Sequence, residues 1–279
     1  MESHRPLGGP ATPVRPRRLT SLGLTLSLAL LPLGAGAVED AEPIVPDRAG
    51  LSTSTATVGR GVVQIETGVA YRYERTGGAS SDRRFNVDLL LRIGVAERLE
   101  VGFFGDPIVV QRGAVDVTDH GDFVLAAKYR FLDAPEGSWL PSLGLLPFVK
   151  LPVSEEPLGS GKTDVGALLL VSLGLPAQFN LDFNGGLAAV GQSRPSGYLL
   201  EAILAAGLSR DLGERLTLFT DLFYATRDER DGRDGLLLDA GVIWRPTPDV
   251  ALDASVVTSL AGRGPDWALR GGVSVRFGR

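Results

Sequence analysis

Cysteine is absent from the chain, and histidine occurs only at His4 and His120. The first absence excludes a disulfide-stapled module and any thiolate nucleophile or thiolate metal centre. The second leaves no imidazole pair for zinc or another transition metal. Long apolar runs are missing after residue 37: the nearest candidate, "VGALLLVSLGL" from Val165, is closed by Pro176 and is too short for a membrane helix. A basic surface is missing too. With residues 1–37 set aside, 24 Lys and Arg face 32 Asp and Glu, a net charge of −8, so no nucleic-acid partner is expected.

What is present begins with an export signal. Arg5, Arg15, Arg17 and Arg18 form a basic region, an apolar run starts at Leu19, and Ala35-Gly36-Ala37 fits a small-residue cleavage site. The expectation is a cleaved signal peptide over 1–37. The competing reading, a membrane anchor, is disfavoured by Pro32 and the Gly/Ala end. Residues 38–60 are rich in Pro, Ser and Thr without a period and are expected to be a periplasmic lead-in segment. Residues 61–279 carry the rest of the fold.

There the pattern is a period of two. In "VVQIETGVAYRYE", Val63, Ile65, Thr67, Val69, Tyr71 and Tyr73 alternate with Gln64, Glu66, Gly68, Ala70, Arg72 and Glu74. Twelve such segments are expected, at 62–74, 84–95, 98–111, 121–132, 140–153, 164–174, 178–190, 198–209, 214–226, 235–246, 249–260 and 266–277. Connections after the even-numbered segments are mostly tight ("AER", "LPAQ", "DLGE", "TPD"), with "DAPEGSW" longer. Those after the odd-numbered ones are on average longer and more polar ("RTGGASSDR", "GAVDVTDHG", "SEEPLGSGKT", "GQSRPSG", "RDERDGRD"), with "AGRGP" shorter. A chain threading up and down through a membrane gives loop length this parity; a soluble sandwich gives no reason for it. The expected fold is all-β: a transmembrane up-and-down antiparallel barrel of about 12 strands in the bacterial outer membrane, closed so that every backbone group is paired within lipid. Aromatics near segment ends fit interfacial girdles. The last segment, ending at Phe277, resembles the terminal strand that outer-membrane assembly machinery recognises, although Gly278 and Arg279 follow it.

Several strings resemble one known family. "PDRAGLSTSTATVGRGVVQIETGVAY", "LLLRIGVAERLEV", "GDFVLAAKYRFL", "LLPFVKLPV", "RPTPDVALDASV" and "PDWALRGGVSVRF" are similar, in the same order, to the outer-membrane transporter family named for the meta-cleavage pathway of phenol degradation. The similarity runs from about Pro46 to the C-terminus. It implies an outer-membrane channel or transporter and supplies no catalytic residues.

Two motifs tempt toward other functions. "GSGKT" at 159–163 has Glu156 where a phosphate-binding loop needs glycine, and a strand is expected after it instead of a helix. His120 falls in an expected loop, where one of the loop or rim serines would have to serve as its nucleophile. No enzyme and no cofactor are expected. The polar faces are the better lead. Gln64 and the acids Glu66, Asp88, Glu100, Asp122, Asp182, Glu201, Asp221, Asp239 and Asp253 are candidate lumen-lining residues. They share the face with Arg72, Arg92, Lys128, Arg130, Lys150, Arg245, Arg270 and Arg276. They suit either a bracing ion-pair network or a wet pore of little ion preference. Segments 140–153, 164–174 and 198–209 are apolar on both faces, which puts Leu146, Phe148, Leu168, Leu170, Leu199 and Ile203 in a candidate hydrophobic lumen patch. The expected function is passive passage of small hydrophobic or aromatic molecules, with lipid and solute as partners. The alternatives are a closed structural or binding barrel and, less favoured, a lipid-modifying barrel enzyme.

Overall fold

Among the described residues, alternation of side chains builds one sheet from thirteen strands: β1 Val63–Gly77, β2 Ser80–Ala96, β3 Leu99–Arg112, β4 Val117–Asp119, β5 Phe123–Leu132, β6 Ser142–Leu151, β7 Asp164–Leu175, β8 Phe179–Gln192, β9 Gly197–Leu212, β10 Leu216–Ala225, β11 Gly235–Thr247, β12 Val250–Gly262 and β13 Trp267–Phe277. The structure is a computed structural model and describes residues 42–77, 80–135 and 137–278. The expected signal peptide, 1–37, lies outside the described residues.

All pairings are antiparallel between neighbours, and β1 closes the ring on β13 with Val63 opposite Phe277 and Tyr73 opposite Trp267. Twelve strands complete the barrel. β4, which no period in the sequence announced, adds three residues beside the far end of β3, opposite Val109–Gln111. The first long loop also differs from expectation. "RTGGASSDR" is largely ladder, because Glu74 pairs with Asp82 and Arg75 with Ser81 before the hairpin turns. At 15 and 17 residues, β1 and β2 exceed the roughly 9–11 residues that cross a bilayer, so this hairpin projects beyond it.

The two faces separate by polarity, and the apolar one is outside. In β12, Ala251, Asp253, Ser255 and Val257 are buried while Leu252, Ala254 and Val256 are exposed. Across the barrel Ile65, Val69, Leu169, Leu204, Leu222, Val256 and Leu269 are exposed by 38% to 53%. That is too large an apolar surface for water and is the surface hydrocarbon requires. Aromatic residues gather at the ends: Tyr71 and Tyr73 pack on Trp267 with centroids 5.7 and 5.6 Å apart, and Trp244 and Phe277 are exposed at the opposite rim.

Connections at one end are tight, except 133–141 between β5 and β6. β2–β3 and β11–β12 turn within Glu97-Arg98 and Pro248-Asp249, and β9–β10 turns at Gly213, whose φ of 73° favours glycine. The longer connections, 152–163 and 226–234 among them, cluster at the other end.

Candidate functional site

The interior is not left open. Residues 42–60, the described part of the segment expected as a periplasmic lead-in, run through the barrel. The backbone amide of Ile44 donates to Pro248 O (2.8 Å) at the tight-turn end, and Arg245 donates to Ile44 O (2.8 Å). Ile44 and Ala49 are buried against Phe219, Ile243 and Ala251 of β10–β12, an apolar anchor for the segment. Burying one such isoleucine is worth about 1.5–3 kcal/mol.

From there the segment is held by side chains around the wall. Arg48 donates through its backbone N–H to Glu66 (2.8 Å), and its guanidinium pairs with Asp88 (3.2 Å) and Asp253. Amides of Leu51, Thr53, Thr55 and Val58 donate to Asp221 (2.7 Å), Asn184 (2.7 Å), Ser172 (2.9 Å) and Glu100 (2.8 Å). Asn184 returns a bond to Thr53 O (2.7 Å), and Arg92 and Lys128 both donate to Ala56 O (3.0 Å each). A lone chain in a lumen has no strand partner, so wall side chains must satisfy its backbone groups.

Glycine makes the room. Gly68 and Gly272 are directly paired across β1 and β13, and a Cβ there would fall 2.5 Å from Arg48 Nη1 and 2.1 Å from Arg48 Nη2. The guanidinium therefore lies on bare backbone between its two carboxylates.

Apart from Arg72, which lines a cavity on the long-loop side, the sequence-expected interior residues fall into three groups. Gln64, Glu66, Asp88, Arg92, Glu100, Lys128, Asp221, Arg245, Asp253 and Arg270 all bond to residues 42–60; of these, Glu66 and Arg92 are almost wholly buried. Arg92 is the hub, paired with Glu66 (3.3 Å), Glu100 (2.8 Å) and Asp47 (3.4 Å). Asp182 accepts from Ser172, and Asp239 pairs with Arg270 (3.2 Å), one remove from the segment.

The second group sits near the two ends. Arg276 binds Asp249 (2.9 Å) and Glu42 O (2.8 Å), and Arg130 binds Asp133 (2.7 Å) at the tight-turn end. At the long-loop end Lys150 bridges Asp122 (3.2 Å) and Asp164 (2.7 Å), while Glu201 pairs with Arg263 (2.7 Å). Loop clasps complete that rim. The Tyr224 hydroxyl donates to Asp234 and holds its carboxyl below the usual range, and Arg75 does the same for Asp266.

The third group is apolar. Register sets Leu146 beside Leu168, Leu168 beside Gly186, and Gly186 beside Ile203, with Phe148 opposite Gly166. A Cβ on Gly166 would lie 2.5 Å from Phe148 Cζ, so the ring leans over bare backbone. Leu170 is fully buried. Leu199 stands apart, opposite Val190 beyond Glu201.

Segment 42–60 divides the interior. On its long-loop side lies a cavity of about 500 Å³ that includes Arg48, Arg72, Arg84, Asp106, Leu90, Phe104, Leu146 and Arg270 in its wall. On its tight-turn side lies one of about 420 Å³, lined by Ser52, Thr55, Asp182, Thr217 and Arg245. Gly50 lines both. Arg48, Arg84 and Asp106 escaped the sequence reading. The signal that was available for the segment lay in Gly68 and Gly272, which break the run of inward side chains.

The tempting motifs resolve plainly. "GSGKT" lies in the β6–β7 connection and leads into a strand. Ser154 Oγ donates to the backbone carbonyl of His120 (3.0 Å) and not to its ring.

Among curated proteins nothing matches this sequence. Solved structures give the fold. An outer membrane channel from Pseudomonas putida F1 superposes with a TM-score of 0.66 at 14% identity, covering 84% of this chain and 100% of its own. A KdgM porin solved with disordered oligogalacturonate (TM-score 0.49, 10% identity, 76% and 99% covered) and the translocator domain of autotransporter NalP from Neisseria meningitidis (0.48, 15%, 78% and 89%) are more distant. The architecture is that of a bacterial outer-membrane barrel. The chain belongs to the family described as "Putative MetA-pathway of phenol degradation", whose model matches residues 46–277.

Proposed function

We propose that this outer-membrane barrel is a passive route for small aromatic or aliphatic molecules, with segment 42–60 as its displaceable plug. The observation that carries the reading is the inward apolar ladder Leu146–Leu168–Ile203 beside the 500 Å³ cavity. Barrels that conduct water line their interior with polar side chains; an apolar stripe there suits a solute that sheds water. The charged lining supports this, because its acids and bases largely neutralise one another and give no strong preference for either ion sign. The Pseudomonas putida barrel that shares the fold is described as an outer membrane channel, in accord with this role. Passage of this kind needs no catalytic residue.

Liposomes carrying the protein test it. Little swelling with sugars and saturable binding of an aromatic probe such as naphthalene are expected; equal swelling with sugars and no aromatic binding would refute the reading. A closed binding or structural barrel is the second reading, favoured by the many bonds that hold the segment in place. It requires silence in planar bilayers, where a displaceable plug gives openings. We also assign the terminal strand ending at Phe277, which is 53% exposed, to recognition by the assembly machinery. Phe277→Ala is expected to lower the outer-membrane content several-fold; an unchanged content would remove that assignment.

A further inference from the structure

The basic side chains around the cavity on the long-loop side of the segment are not equivalent. Arg48 is paired with Asp88 and Asp253, Arg84 with Asp106 at 3.1 Å, and Arg270 with Asp239 at 3.2 Å. Arg92 and Lys128 share Asp47 and Glu100. Arg72 also lines this cavity, yet among the described residues its guanidinium has no ion pair and no hydrogen bond, and Glu74 and Asp106 attract it only from beyond contact. Its side chain is exposed to the lumen. It lies directly opposite Arg84 across β1 and β2, and like charges so placed repel. Glu74, two residues along the same face, forms no ion pair with it.

The surroundings of Arg72 are apolar on the other side. The rung that holds it runs from Val257 on β12 through Ala268 on β13 to Arg72 and then Arg84. Leu90 and Phe104 line the same cavity. Its volume of about 500 Å³ falls in the range of small-molecule pockets, roughly 300–1,000 Å³. A planar guanidinium with free donors, beside a like-charged neighbour and an apolar wall, matches a carboxylate that carries a hydrocarbon body.

We propose that this cavity is a binding site for aliphatic or aromatic monocarboxylates, with the carboxylate on Arg72 and the hydrocarbon body against Leu90, Phe104 and Val257. The assignment rests on the channel reading above and names the solute class. The bound anion lies between Arg72 and Arg84 and relieves their repulsion. The cavity thus selects the anionic form over a neutral or cationic amphiphile of equal length.

Calorimetry on the full barrel in lipid nanodiscs tests this, with empty nanodiscs as the blank and octanoate, 1-octanol and octylamine as probes. Octanoate is expected to bind roughly tenfold or more tighter than octanol, the range of one charge-assisted hydrogen bond. Arg72→Gln should bring octanoate down to the octanol level and leave octanol unchanged, while Arg72→Lys keeps most of the preference. Folding of each variant is judged by heat-modifiable gel migration. If Arg72→Gln does not fold, the wild-type preference must vanish as octanoate becomes protonated. Equal affinities for octanoate and octanol, an unaltered preference in Arg72→Gln, or tightest binding of octylamine would overturn the assignment and leave the apolar-solute reading standing. Binding of none of the three would overturn both.

Discussion

Replacing Arg48 by methionine isolates the contact that holds the plug. The Arg48 side chain is 5% exposed, with Asp253 at 1% and Asp88 at 19%, so both ion pairs are largely shielded from water. Methionine keeps much of the aliphatic stem and removes the charge. With the segment inserted, Asp253 then loses its cation while still buried, and removing one partner of a buried pair costs about 3–5 kcal/mol. With the segment displaced, the same carboxylate meets lumen water in either variant, so nearly the whole penalty falls on the inserted state. Access of water to Asp88 argues for the lower end, about 3 kcal/mol, or roughly a hundredfold in the insertion equilibrium. The amide bonds to Glu66, Asp221, Asn184 and Glu100 remain, so the segment is loosened and not expelled. Single-channel recording in planar bilayers should show open probability rising about two orders of magnitude or to saturation, with Arg48→Lys in between. Raised salt should not reproduce the effect, because buried pairs are weakly screened. If Arg48→Met recorded like wild type while deletion of residues 42–60 opened the pore, Arg48 would not be the latch.

Other perturbations test separate links. Gly272→Val puts a Cβ 2.1 Å from Arg48 Nη2 and should loosen the plug by about 1–3 kcal/mol through overcrowding, read as more frequent openings with the barrel intact. Openings no more frequent than wild type would mean that the guanidinium shifts without cost. Leu204→Arg places a charge on the outward face of β9, where the leucine is 53% exposed; near the bilayer midplane it should cost about 2–4 kcal/mol of folding stability in vesicles under urea. An unchanged urea midpoint would mean that this face does not meet hydrocarbon.

How far the sequence carried depends on what each part leaves in it. A strand buried on one side writes a period of two, so the expected segments 164–174, 235–246 and 266–277 lie within a residue of β7, β11 and β13. Glycine and serine clusters mark turns only where no ladder forms, and the β1–β2 hairpin runs on through "RTGGASSDR" because Tyr73, Glu74 and Arg75 find partners in Arg83, Asp82 and Ser81. Segment 42–60 leaves no period at all. Its amides go to scattered wall side chains such as Asn184 and Ser172, which lie over a hundred positions away in the chain. The charged interior was legible residue by residue as a face, but its purpose was not. Glu66, Asp253 and Glu100 look alike in a sequence whether they border water or clamp an arginine.

The missing cysteines supply the most direct test, since any introduced pair is the only pair. A Cβ built at Gly207 lies 3.0 Å from Ser52 Cβ, slightly closer than the roughly 3.5–4.5 Å of a disulfide, and 2.3 Å from Asp221 Oδ1, so Ser52→Cys with Gly207→Cys bridges plug and wall once the Asp221 carboxylate swings aside. Solute flux into proteoliposomes should be abolished in the oxidised form and restored by dithiothreitol to the level of the reduced protein. Equal flux in both forms would show that molecules cross without displacing the segment, and the plug account would be wrong.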